Sequence, residues 1–200
     1  MQNRSKFAGM TNKIRHIKVP EGSFFLFGPR GTGKSTFVKT LINDDVLYID
    51  FLDPETFRTF SAFPETLEKS VAALNPGQVI VDEVQKVPSV LDVVHKLMEG
   101  RKIRFILTGS SPRKLKMGGA DMLGGRALRC IMHPFIAEEL GDDFSLEKSL
   151  RTGLIPVIER SKDPVQSLSA YVDIYLREEV QAEGLVRNLG AFSRFLEIAR

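Results

Sequence analysis

Eight residues near the start of the chain form a pattern that can hold a phosphate group. They run from Gly28 to Ser35 and read Gly-Pro-Arg-Gly-Thr-Gly-Lys-Ser, which matches G-x-x-x-x-G-K-[ST]. Glycines allow the tight turn that points several backbone N–H groups at a phosphate, and the lysine adds a mobile cation. The hydroxyl of Ser35 is a suitable ligand for Mg²⁺. The pattern therefore predicts a phosphate-binding loop.

The residues around this loop support the prediction. The apolar run Phe24–Phe27 precedes it and the helical stretch Ser35–Leu41 follows, as expected for a strand, a loop and a helix in succession. The residues that we assign to binding are Gly28, Pro29, Arg30, Gly31, Thr32, Gly33, Lys34, Ser35 and Thr36. Among them, we expect the amides of Gly31 and Gly33 and the ammonium of Lys34 to hold the phosphates.

A pair of acidic residues, Asp82 and Glu83, follows the apolar run Val79–Val81. A strand of a parallel sheet would place both carboxylates at the edge that carries the loop. Asp82 would then join Ser35 in the Mg²⁺ shell, and Glu83 would polarise a water aimed at the γ-phosphate. Capping of the next helix is the alternative role for these carboxylates. Together with the loop, the pair favours hydrolysis over transfer of a phosphoryl group to a small substrate.

Two hydroxyl residues, Thr108 and Ser110, follow another apolar run, Ile103–Leu107. A hydroxyl at the end of a strand beside the loop can contact the γ-phosphate or orient the attacking water. The sequence does not choose between the two residues, and either can cap the following segment instead. No N-K-x-D pattern follows the loop, so GTP specificity is not supported and ATP with Mg²⁺ is the expected ligand.

A glycine-rich stretch carries a cluster of basic residues. They are Arg113, Lys114, Lys116, Arg126 and Arg129. Arg126 is a candidate arginine finger, which would stabilise transition-state charge in its own chain or across the interface of a homo-oligomer. A loop that contacts DNA phosphates and a solvated basic loop are the two other interpretations, and all three stay open.

The composition places the chain among ordinary globular proteins. It has 200 residues, of which 42% are hydrophobic and 26% charged, and a net charge of +3 that does not by itself argue for a nucleic-acid partner. The single cysteine, Cys130, excludes an intrachain disulfide. Because we find neither a signal peptide nor an apolar run that could span a bilayer, we expect a cytoplasmic protein without a membrane partner.

Strand and helix patterns alternate up to about residue 140 and then become helical. The predicted strands are Ser23–Phe27, Val46–Phe51, Gln78–Asp82, Ile103–Leu107 and Ala127–Met132. We predict a solvated basic arm over residues 1–20, an α/β core with a mostly parallel sheet flanked by helices over 21–140, and a helical region over 141–200. The chain ends inside a helical pattern without a cap, so we expect a further domain beyond Arg200.

Several strings in the sequence together resemble one known family. They are Phe25–Ser35, Val81–Pro88, Leu107–Ser111, Leu123–Ala127, His133–Phe135 and Tyr171–Arg200. The combination is similar to the predicted prokaryotic AAA-type ATPases that carry a C-terminal domain of unknown function, and the chain looks like their N-terminal part. Lys34, Ser35, Asp82 and Glu83 match motif positions of that family, and Arg126 matches its glycine-arginine position.

The resemblance implies an additional-strand P-loop core, in which one strand lies between the strands that carry the loop and the acidic pair. It also implies ATP, Mg²⁺, a small helical region and a missing C-terminal domain similar to restriction endonucleases. The expected function is ATP hydrolysis that drives a conformational change in an attached or partner domain. The alternatives are a nucleotide-gated DNA-binding or signalling switch with little turnover, and a small-molecule kinase.

Overall fold

A parallel β-sheet forms the centre of the molecule. The computed structural model describes residues 14–117, 123–175 and 188–198. Its strands are β1 (Phe24–Phe27), β2 (Val46–Asp50), β3 (Gln78–Asp82), β4 (Arg104–Gly109) and β5 (Leu128–Ile131). Their order in the sheet is β2-β3-β4-β1-β5, with every neighbouring pair parallel. Strand β4 lies between β1 and β3, which confirms the additional-strand α/β fold.

Helices connect the strands and then continue beyond the sheet. They are α1 (Lys34–Lys39), α2 (Pro54–Ala62), α3 (Thr66–Leu74), α4 (Val90–Gly100), α5 (Pro112–Met117), α6 (Ala137–Leu140), α7 (Leu146–Thr152), α8 (Pro156–Glu159), α9 (Pro164–Tyr175) and α10 (Leu189–Ile198). Pro64 lies in the short break between α2 and α3. Residues 176–187 and 199–200 of the predicted helical tail lie outside the described part. None of the described helices is long and apolar enough to cross a bilayer.

The apolar strand runs are explained by burial on both faces of the sheet. Alternate residues of β1, β3 and β4 enter two separate core clusters. One cluster includes Phe25, Val81 and Leu107 and packs against α3 and α4, and the other includes Leu26 and Ile80 and packs against α1. A parallel sheet has helices on its faces because each connection must run from the carboxyl end of one strand back to the amino end of the next.

The strand register brings the ends of the strands to one edge. Phe27, the last residue of β1, is aligned with Gly109 of β4 and Ile131 of β5, and Asp50 is aligned with Asp82. The segments that follow β1, β3 and β4 are therefore neighbours. The fold places the glycine-rich loop, the acidic pair and the two hydroxyl residues at the same edge, where ligands bind in open α/β sheets.

Candidate phosphate-binding site

The loop between β1 and α1 has a backbone shape that depends on glycine. Gly31 and Gly33 have φ angles of +78° and +89°, in the left-handed region that other residues adopt only at a cost. Gly33 is the N-cap of α1, and it provides no side-chain hydrogen bond to the helix. The backbone N–H groups at the start of α1 are therefore not satisfied by a capping side chain.

Lys34 lies at the centre of this loop with only 5% of its surface exposed. Its Nζ donates hydrogen bonds to the carbonyl oxygens of Gly28 at 2.7 Å and Pro29 at 3.0 Å. The hydroxyl of Thr32, which is fully buried, donates to the same Pro29 carbonyl at 2.8 Å. The loop thus curls around a positive charge, which is the arrangement that an anionic ligand needs.

A cleft of about 670 Å³ opens in front of the loop. It is lined by the loop residues from Arg30 to Thr36, by Glu83, and by an apolar wall. The wall consists of Ile14, Phe37, Phe135, Pro156 and Val157. The cleft therefore combines a polar end, suited to phosphates, with an apolar end, suited to an organic ring.

Asp82 is fully buried at the end of β3 and has two hydrogen-bond donors from neighbouring strands. The hydroxyl of Tyr48 donates to Asp82 Oδ2 at 2.8 Å, and the hydroxyl of Thr108 donates to Asp82 Oδ1. Burial, followed by the carboxylates of Asp82 and Asp50, raises the pKa of Tyr48 well above its usual range. The phenol therefore stays protonated and continues to donate to Asp82.

The oxygen ligands near the loop fit Mg²⁺ that arrives with a nucleotide. Ser35 lines the cleft with a hydroxyl, and the buried carboxylate of Asp82 belongs to the residue directly before Glu83, which also lines it. The described residues contain no cluster of three or more His, Cys, Asp or Glu side chains that could hold a metal ion by themselves. Mg²⁺ is usually bound by one or two protein oxygens together with phosphates and waters, so a small oxygen donor set is the appropriate one.

Glu83 lines the cleft in an unusual backbone conformation, with φ of +60°. Its backbone N–H donates to the hydroxyl of Thr108 at 2.9 Å, and its Oε2 accepts a hydrogen bond from the Nε2 of Gln85. A left-handed residue that is not glycine costs free energy and is often found at functional sites. Glu83 therefore lies at the wall of the cleft beside the loop, held by hydrogen bonds of both its backbone and its side chain.

The two candidate hydroxyl residues have different surroundings. Thr108 is fully buried and is hydrogen-bonded both to Asp82 and to the backbone of Glu83. The buried hydroxyl of Ser110 has no hydrogen-bond partner among the described residues. Thr108 therefore holds the acidic pair in place, whereas the Ser110 hydroxyl is buried without a partner in the described part, and neither residue is among those that line the cleft.

Arg126 lies near the amino ends of the strands, whereas the loop follows the carboxyl end of β1. It precedes β5, and the first residue of that strand, Leu128, is aligned with Phe24 at the start of β1. Its side chain is 43% exposed and donates to Glu99 at 2.8 Å. Arg126 therefore does not line the cleft of its own chain. Of the other basic residues, Arg113 is exposed, while the side chains of Lys114 and Lys116 lie outside the described part.

Arg15 contributes to the site, although the sequence predicts that it belongs to a solvated arm. Its side chain is only 11% exposed and donates to the carbonyl of Thr32 at 2.8 Å, to the carbonyl of His133 at 2.6 Å and to Glu139 Oε1 at 3.0 Å. Its guanidinium also lies 4.9 Å from the centre of the Phe135 ring. Arg15 therefore ties the loop to the wall of the cleft.

We expect Arg15→Met to lower the free energy of unfolding by about 3 kcal/mol, because it leaves the Glu139 carboxylate without its ion-pair partner. The Glu139 side chain is 5% exposed, so solvent does not replace the lost contact. Denaturant titration would measure the loss. Arg151→Met, at an exposed arginine of α7, is the matched control and should change stability little. Equal stability of the two variants would contradict the role of Arg15.

The helical region that follows the core also contacts the loop. The hydroxyl of Tyr171 on α9 donates to the carbonyl of Arg30 at 3.1 Å, and the N–H of Val157 on α8 donates to the carbonyl of Gly31 at 3.3 Å. A Cβ at Gly31 would lie 2.6 Å from a methyl of Val157. The glycine is therefore needed for close packing as well as for its φ angle.

Two solved structures to which this chain is similar share little of its sequence. A structure of katanin, from work on katanin self-assembly, is 13% identical with a TM-score of 0.49, over 81% of this chain and 62% of that one. The Orc1 protein of Aeropyrum pernix, in complex with DNA, is 17% identical with a TM-score of 0.40, over 90% of this chain and 60% of that one. The chain thus spans about three fifths of the length of either structure. No curated protein matches the sequence significantly.

A sequence model of one protein family matches most of the α/β core. The family is described as an AAA domain, and the match covers residues 21–141, which is more than half of the chain. The strand order and the glycine-rich loop agree with this match. The family implies a nucleotide as the ligand of the cleft. The chain belongs to the AAA domain family.

Proposed function

We propose that this protein binds ATP with Mg²⁺ and hydrolyses it, and that hydrolysis drives a conformational change in an attached or partner domain. The observation that carries the proposal is the position of Glu83, which lines the same cleft as the glycine-rich loop. The loop accounts for binding of the phosphates, and the carboxylate accounts for attack by water rather than by another substrate.

Binding of the phosphates would change the bonds that Lys34 makes within the loop. The ammonium of Lys34, which now bonds to the carbonyls of Gly28 and Pro29, would turn to the β- and γ-phosphates. Ser35 and Asp82 would hold Mg²⁺, which neutralises charge on the phosphates. The apolar wall of the cleft supports binding of a base ring, and the absence of N-K-x-D supports adenine.

Glu83 would then take a proton from the water that attacks the γ-phosphorus. A bond forms between the water oxygen and phosphorus, the bond from phosphorus to the β–γ bridging oxygen breaks, and ADP and phosphate are released. Ser110 is the better candidate to contact the γ-phosphate, because its buried hydroxyl has no partner in the part of the chain that the structure describes. Thr108 would act on Asp82 and Glu83 instead.

The contacts between the helical region and the loop support coupling of nucleotide to movement. Tyr171 and Val157 bond to loop carbonyls, so a shift of the loop on ATP binding would be transmitted to α8 and α9. The position of Arg126 supports a finger role only toward the cleft of a neighbouring copy, which would require a homo-oligomer. DNA binding and a further C-terminal domain stay predictions from the sequence.

Phosphate release from ATP is the direct test of the proposed function. We expect release that requires Mg²⁺, is abolished by a chelator and is faster with ATP than with GTP. A parallel measurement with duplex DNA would show whether DNA stimulates turnover. Tight ATP binding without any release would contradict the hydrolase proposal and favour a nucleotide-gated switch.

Thr108→Val and Ser110→Ala should separate the two hydroxyl roles. Thr108→Val leaves the Asp82 carboxylate and the Glu83 N–H short of a partner, so we expect the free energy of unfolding to fall by about 1–3 kcal/mol. Ser110→Ala removes a hydroxyl that has no partner among the described residues, so stability should not fall, but ATP turnover should. Thermal denaturation and phosphate release measure both effects. Full turnover by Ser110→Ala would remove Ser110 from the γ-phosphate site.

A further inference from the structure

We propose that Gln85 positions the Glu83 carboxylate to take a proton from the attacking water. The inference rests on the proposed hydrolysis and adds a residue to the same site. Gln85 is half-buried two residues after Glu83, and its Nε2 donates a hydrogen bond to Glu83 Oε2. It is a positioning residue, because it acts through Glu83 rather than on the nucleotide.

The backbone that carries Gln85 is firmly anchored. Gln85 lies in a single 3₁₀ turn, Val84–Lys86, in which the N–H of Lys86 donates to the carbonyl of Glu83 at 2.9 Å. The valines on both sides of it, Val84 and Val87, are 0% and 2% exposed and belong to the core. The turn therefore fixes where the Gln85 side chain begins, and only side-chain torsions remain free.

The amide of Gln85 fits between Glu83 and the end of β4. A Cβ at Gly109 would lie 2.8 Å from Gln85 Oε1, so the absence of a side chain at Gly109 provides the space for the amide. Gln85 Oε1 is buried and accepts no hydrogen bond from the described residues. The position of this amide is therefore explained by its bond to Glu83 and by packing against Gly109.

A carboxylate that must aim at a water benefits from such a partner. A free glutamate side chain loses conformational entropy when it is fixed in one position, and small misplacements of a catalytic group lower the rate. The amide of glutamine is neutral and does not titrate, so it holds one carboxylate oxygen without competing for the proton from water. Glu83 Oε1 accepts no hydrogen bond from the protein residues that the structure describes, and it is left for water.

Gln85→Met keeps the length of the side chain and removes the amide. We expect kcat for ATP hydrolysis to fall about tenfold, with KM and the equilibrium affinity for ATP changed by less than about twofold. In a Glu83→Gln background the same substitution should have no further effect on kcat, because no carboxylate remains to be positioned. Gln85→Asn, whose amide is one methylene shorter, should lower kcat in the same way and serves if the methionine variant does not fold.

Gln78→Met is the matched control at the other end of β3. It breaks a side-chain hydrogen bond of similar kind, in which Arg104 donates to Gln78 Oε1 at 2.8 Å, and it should leave kcat unchanged. If Glu83→Gln lowers kcat but Gln85→Met does not, or raises it, the inference is wrong and the proposed function stands. Additive losses in the double variant would show a structural effect and would also overturn it. If the unmodified protein releases no phosphate, the proposed function fails and the inference fails with it.

Discussion

Replacing Lys34 with alanine is expected to abolish ATP binding at ordinary nucleotide concentrations. The ammonium lies at the centre of the loop, where it bonds to two loop carbonyls. Charge-assisted hydrogen bonds contribute about 1.5–3 kcal/mol each, so loss of two contacts to phosphate should weaken binding about 100-fold or more. Calorimetric titration with ATP and Mg²⁺ measures the change directly.

Two measurements make this expectation specific to the loop. Lys69→Ala, at an exposed lysine of α3, removes the same charge from the protein and should leave the affinity unchanged. A denaturation experiment should show that the Lys34→Ala variant remains folded, because Lys34 belongs to neither of the two apolar core clusters. Tight ATP binding by the folded variant would contradict the assignment of the loop as the phosphate site.

The fold and the phosphate end of the site could be predicted because their signals are local. The glycines of the eight-residue loop indicate its conformation, and the apolar strand before it indicates its position in the sheet. Asp82 ends a strand and Glu83 follows it, and the geometry of a parallel sheet then brings them to the edge that carries the loop without further information. Neither prediction required knowledge of which distant side chains meet.

The contacts that complete the site could not be predicted because they join residues that are far apart in the sequence. Arg15 bonds to a carbonyl of Thr32 and to Glu139, which is 124 positions away in the chain, and no pattern around Arg15 distinguishes it from a solvated arginine. Tyr48 reaches Asp82 only because β2 and β3 are neighbours in register. The place of Arg126 depends on where β5 enters the sheet, which the glycines before it do not specify.

Glu83→Gln is expected to bind ATP normally and to hydrolyse it about 100-fold more slowly or worse, which is the usual contribution of a general base. The substitution keeps the size of the side chain, and the amide oxygen of the new glutamine can still accept the hydrogen bond from Gln85. The structural change is therefore small, and the chemical change is the loss of a group that can take a proton.

Single-turnover phosphate release, with ATP affinity measured in parallel, separates these two effects. Glu68→Gln is the matched control, because Glu68 pairs with Lys96 on the surface, away from the cleft, and its loss should not change turnover. Unchanged turnover in the Glu83→Gln variant would remove this carboxylate from the mechanism. We expect Glu83→Gln to lose turnover and keep ATP binding, and Lys34→Ala to lose ATP binding. Together these results would assign binding to the loop and chemistry to the acidic pair, which occupy separate positions at the sheet edge.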